Sequence, residues 1–178
     1  MDIAKLCLDR GATKAGEVSV SKLILMEELR EFCKQNYCGK YGNNYTCPPH
    51  VGQIDVLINK VKSYNKAVIW QNIYPLEDSF DFEGMMDAKA DFDIRTREIA
   101  DIVKNEPDLR GALVLGAGCC TLCETCAIVD KLPCLNPDTA LSSLEAHGIN
   151  VSKIEEITDM KYINGENTVT YFSGVFFN

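Results

Sequence analysis

Nine cysteines in 178 residues set the first constraint on this chain. A chain of this length buries a hydrophobic core and has no need of disulfide staples. Nine is also odd, so complete pairing within one chain is impossible. In a reducing cytosol, cysteines at this density point to metal sites. Cys33, Cys38 and Cys47 form one group, Cys119, Cys120, Cys123, Cys126 and Cys134 a second, and Cys7 stands alone.

The second group lies in the run GAGCCTLCETCAIVDKLPC, residues 116–134. Cys120, Cys123 and Cys126 are spaced C-x2-C-x2-C, and Cys134 follows after seven intervening residues. Three thiolates at that spacing on a loop can wrap the corners of one compact cluster. The pattern opens like the ferredoxin-type run, which continues C-x3-C-P. Here the fourth Cys comes later, and Pro133 precedes it. Gly116 and Gly118 free backbone N–H groups to approach sulfur. A helix expected to start at Asn136-Pro137 would turn its positive end toward an anionic centre. The leading reading is a [4Fe–4S] iron–sulfur cluster on Cys120, Cys123, Cys126 and Cys134. Zinc held by four thiolates is an alternative, and a redox pair at Cys123-x-x-Cys126 is another.

Cys33, Cys38 and Cys47, followed by Pro48, Pro49 and His50, sit in a loop rich in Gly, Asn and Tyr. They read as three ligands of a second metal site, although Cys33 also shares the apolar face of its expected helix. The fourth ligand is open: Cys119 or His50 could supply it. An open iron would instead admit a small-molecule ligand and imply catalysis. Cys7 lies on the apolar face of the first expected helix and reads as core.

Eighteen basic and 26 acidic side chains give a net charge of −8, which excludes a basic nucleic-acid-binding surface. No apolar run approaches membrane-spanning length, and the start has no basic-then-apolar pattern, so a cytoplasmic protein without a signal peptide is expected. No Ser/His/Asp constellation, phosphate loop or paired-carboxylate signature appears. His50 and His147 are too few for a histidine-based metalloenzyme.

Hydrophobic periodicity predicts helices over 2–10, 22–35, 54–61 and 84–105, and another running from Asn136 to Gly148. The 22–35 helix would carry Leu25, Leu29, Phe32 and Cys33 on one face. Strands are expected at 17–20, 67–70, 111–116 and 168–177. His147 reads as a cation or donor at a helix end; Met85, Met86 and Trp70 read as packing. The expected design is one domain over 1–178, α/β or α+β, with a single sheet of about four or five strands and helices packed on it.

The motifs resemble a family of predicted metal-binding proteins, domain of unknown function 2284. The first half carries Cys33, Cys38, Gly39, Tyr41, Gly42, Asn44, Cys47, Pro48 and Pro49 in its pattern. The second carries Gly116, Gly118, Cys120, Cys123, Cys126, Cys134, Ser143, Glu145, Ala146, Gly148, Ile149 and Val151. The chain differs at Leu135, where the family pattern often has Arg, and position 119 lies outside the pattern. The resemblance implies metal binding and gives no reaction.

The functional expectation is therefore a cytoplasmic iron–sulfur protein with one or two clusters, exchanging single electrons with a protein partner. Its acidic surface suits a basic patch on that partner. The alternatives are an enzyme with an open iron at the first site and a zinc-stabilised interaction module.

Overall fold

The computed structural model describes residues 1–178. Its four strands are β1 (Lys14–Ser19), β2 (Lys66–Pro75), β3 (Leu113–Leu115) and β4 (Thr168–Phe177). They form one antiparallel sheet in the order β1-β2-β4-β3. The fold is therefore α+β. In central β2, Ala67 and Ile69 face one apolar cluster while Val68 and Trp70 face the other. Burial on both faces explains why β2 reads as a continuous apolar run.

One face is covered by α1 (Ile3–Asp9) and α4 (Phe82–Asn105). Ile3, Cys7, Phe92, Ile99 and Val103 pack there on Val68, Trp70 and Val175. Cys7 is fully buried, as expected of a core residue. Asp2 and Asp81 cap the two helices by accepting from the N–H groups of Lys5 and Gly84 at 2.9 and 2.8 Å. The other face is covered by α3 (Ile54–Lys62) and short 3-10 turns of the C-terminal third. Val61, Leu144, Ile149, Ile154 and Met160 pack there on Ile69, Phe172 and Phe176. No helix is long and apolar enough to cross a membrane.

The sequence expectation fails in two segments, and both failures have one cause. The helix expected over 22–35 contracts to α2 (Leu29–Lys34), and Phe32 is 64% exposed. The backbone before α2 is recruited elsewhere: Met26 N–H donates to Gly148 O at 2.7 Å, and Asn150 N–H donates to Ile24 O at 2.9 Å. The helix expected from Asn136 to Gly148 does not form; only a 3-10 turn, Glu145–His147, is present. Gly116 N–H donates to Ser142 O at 2.8 Å, and Leu144 N–H donates to Gly116 O at 3.1 Å. Tertiary pairing overrides local periodicity at both places. Two smaller expectations also change. Met86 is 69% exposed rather than packed, and β3 is a short edge strand paired only with β4.

Residues 143–150 thus join the base of both cysteine-bearing segments. Gly148 adopts φ +79°, and a Cβ there would stand 2.6 Å from Ile58 Cγ1. His147 is buried, and its Nδ1 lies 3.1 Å from Ser143 O, to which it donates as neutral imidazole. Burial pushes its pKa down from 6.5 to about 4, assisted by the Lys60 and Arg30 charges. Of the two roles expected for His147 at a helix end, cation or donor, it takes that of neutral donor.

Gly148→Ala combines a left-handed backbone with a steric clash, and a loss of about 3 kcal/mol is expected in urea unfolding. For His147, the unfolded chain binds the extra proton between pH 6.5 and about 4, so stability falls as pH falls through that window. The group accounts for about 3 kcal/mol of acid destabilisation. The difference between wild type and His147→Gln isolates it: the variant's stability should vary less with pH across that window.

Candidate metal centre

The two cysteine loops meet through a small polar clasp. Asn44 and Thr46 are buried despite lying in a loop. Asn44 Nδ2 donates to Cys120 O at 3.0 Å, and Cys120 N–H donates to Thr46 Oγ1 at 2.9 Å. The Thr46 hydroxyl in turn donates to Asn44 Oδ1 at 2.9 Å, so each polar group in the clasp is satisfied. Tyr45 adds a hydrogen bond from its hydroxyl to Leu132 O at 2.8 Å. Gly42, at φ +74°, takes a turn closed by its own N–H donating to Pro48 O at 2.8 Å. This geometry accounts for the Gly and Asn of the first motif.

Cys120, Cys123, Cys126 and Cys134 line one small pocket. Asn44, Tyr45 and Thr46 of the other loop line it as well, with Leu122, Ala127 and Leu135. Asn136 Nδ2 donates to Cys123 Sγ at 3.4 Å. Burial pushes the Cys120 thiol up, with Cys134 and Cys123 adding to the effect and Arg97 opposing it.

The loop is also tied to α4. Asp93 is buried, and its Oδ2 accepts from Lys89 Nζ at 2.5 Å and from Thr121 Oγ1 at 2.9 Å. Arg97 Nη1 lies 4.0 Å from the same oxygen. Two cations thus share one carboxylate beside the cysteine loop.

The first motif is assembled differently. Cys33 lies on α2, Cys47 is half-buried and Cys38 is exposed. Burial, with Cys119, Cys38 and Cys33 acting in the same direction, pushes the Cys47 thiol up to about 12. The clasp places the Cys119–Cys120 junction beside Thr46 and hence near Cys47, its neighbour in the chain. His50 is exposed, with Nε2 3.1 Å from Gly42 O and its ring edge-on to Tyr45.

Arg30, one turn before Cys33, is 9% exposed. It donates to Gly52 O at 2.9 Å and Ala146 O at 3.1 Å, while its Nε has no partner. No carboxylate pairs with it among the salt bridges. An open groove lies beside Arg30, Tyr41 and Pro49, but neither Cys47 nor His50 lines it.

All nine cysteines are free. No three Cys, His, Asp or Glu donors already converge at metal-binding geometry. Sequence reasoning missed Asn44, Thr46, Arg30, Asp93 and Thr121 as supports. Asn44 had a signal in its place within the Cys motif; Arg30 and Asp93 read as ordinary charges on helices.

The model of the family described as a predicted metal-binding protein, domain of unknown function 2284, matches residues 16–177. No curated protein and no solved structure matches the chain.

Thr46→Val removes the acceptor for Cys120 N–H and breaks the bond to Asn44, leaving buried polar groups unpaired. It should cost about 2 kcal/mol in urea unfolding. Thr46→Ser keeps the hydroxyl and should recover most of that loss.

Proposed function

Since the chain belongs to this family of predicted metal-binding proteins, we propose that it is an iron–sulfur protein that exchanges electrons with a protein partner. Cys120, Cys123, Cys126 and Cys134 are the ligands of a [4Fe–4S] cluster in this reading, and Cys33, Cys38 and Cys47 contribute to a second metal site. The observation that carries it is the lining of one pocket by all four thiols of the second motif.

The donor set fits such a group. It is all sulfur, which selects soft metals and iron–sulfur clusters. A single zinc ion with Zn–S near 2.3 Å would draw four sulfurs into mutual contact. A cubane core is larger and holds its four thiolates farther apart, so metal and sulfide content separates the two occupants. A cluster bound there supplies one reversible electron at a potential set by hydrogen bonding and burial. The chain's own part is to hold and tune. Asn136 directs its amide at Cys123 Sγ, and Leu122, Ala127 and Leu135 limit water. Lys89 and Arg97 place positive charge beside the loop. The net charge of −8 suits a partner with a basic docking face.

Anaerobic purification followed by iron, sulfide and zinc analysis tests this reading, together with a visible spectrum. About four iron and four sulfide per cluster are expected, with loss of one cluster's worth in Cys123→Ala. Stoichiometric zinc without sulfide, in a colourless protein, would sink the redox reading and favour a zinc-stabilised interaction module.

A further inference from the structure

We propose that Cys33, Cys38, Cys47 and Cys119 form a complete second four-thiol centre, distinct from the pocket of Cys120, Cys123, Cys126 and Cys134, with Cys119 as its fourth ligand. The inference rests on the metal-binding reading above and adds to it the composition of a second site.

The clasp supplies the geometry. Thr46 Oγ1 receives the Cys120 N–H, and Asn44 Nδ2 binds the Cys120 carbonyl. The residue following Thr46 is Cys47, and the residue preceding Cys120 is Cys119. Cys119 is therefore delivered to the first motif by the contacts that join the two loops. Cys120 lines the second-motif pocket with its three companions, whereas Cys119 does not. Cys119 and Cys120 both line a neighbouring cleft with Thr96, Arg97 and Leu141. Of the adjacent pair, only Cys120 reaches the second-motif pocket.

Arg30 brings Cys33 to the same place. Its guanidinium ties α2 to Gly52, five residues beyond Cys47, and to Ala146 in the segment that pairs with the start of α2. It is also an independent sign of what gathers there. A buried cation is costly without a counter-charge. Arg30 donates only to carbonyls, its Nε has no partner, and the carboxylates of Glu27, Glu28 and Glu31 line the open groove beside it without pairing to it. Thiolates gathered on a metal would place negative charge on its closed side. The census then closes, with two sets of four thiols and Cys7 sealed in the apolar core. Four thiolates take a thiophilic centre, either iron–sulfur or zinc.

The test is metal and sulfide content of the full chain, purified anaerobically, for wild type and the single variants Cys119→Ala, Cys38→Ala and Cys123→Ala. Two centres are expected in wild type: about eight iron and eight sulfide, or about four of each plus one zinc. Cys119→Ala and Cys38→Ala should each remove the same centre and leave the visible spectrum of the other. Cys123→Ala should remove the complementary one. Circular dichroism on each variant shows that the fold persists. If Cys119→Ala keeps the full wild-type content while Cys38→Ala loses a centre, Cys119 is not a ligand and the proposal fails. If wild type holds a single centre lost only in Cys123→Ala, the second site is overturned while the iron–sulfur reading stands. A wild type with no metal overturns both.

Discussion

Residues 143–150 form the constraint on which the rest of the molecule depends. This short stretch pairs with Gly116 at one end and with residues 24–26 at the other. Gly116 begins the loop of the second cysteine group, and residues 24–26 lead into α2 and the first. Ala146 also receives the Arg30 guanidinium. Leu144 and Ile149 from the same stretch are sealed in the core against β2 and β4. Two long loops that could not order themselves are therefore anchored at their bases by a segment locked into the sheet's apolar face. The closure entropy of each loop is met by core packing rather than by the loops' own contacts.

Charge is arranged against this frame in a way the total conceals. The chain is strongly acidic overall, yet Lys89 and Arg97 share the buried carboxylate of Asp93 beside one cysteine loop, and Arg30 is buried beside the other with carbonyl partners only. A buried cation without a paired carboxylate is unfavourable unless an anion completes the set. Thiolates bound to metal are such anions. The acidic exterior and the few cations at the cysteine loops then answer different needs: solubility and docking outside, compensation of sulfur charge at the loops.

The parts of this architecture that were legible in the sequence are those governed by local periodicity and burial. β2 was readable because both of its faces are buried, α4 because its apolar stripe is long, and β4 because aromatic and β-branched residues run through it. The 22–35 and 136–148 segments were not readable. Their hydrophobic spacing is helical, but their backbone groups are claimed by distant partners, Gly148 and Gly116, whose identity no window of sequence contains. The thiol groupings show the same division. The C-x2-C-x2-C spacing declares one set, because its members are close in the chain. The approach of the Cys119–Cys120 junction to the loop of Cys47 depends on Asn44 and Thr46 gripping Cys120 across the fold. Arg30 looks like one more surface charge until its carbonyl partners are seen.

Gathering thiols is itself a physical problem, and the clasp is the structure's answer to it. Without metal, burial raises the Cys33, Cys47 and Cys120 thiols, so they remain protonated and neutral. Deprotonating several of them together would place like charges side by side in a poorly solvated site, so protons leave only as metal arrives. Sulfur–metal bonds therefore cannot hold the apo loops in place. Asn44 and Thr46 do so instead, with neutral hydrogen bonds that require no metal. Because the clasp grips the peptide of Cys120 rather than any sulfur, it leaves every thiol free to bind. It also places the Cys119–Cys120 junction between the two groups. A chain organised this way meets its metal with the loops already ordered, so less of the binding free energy is consumed in folding them.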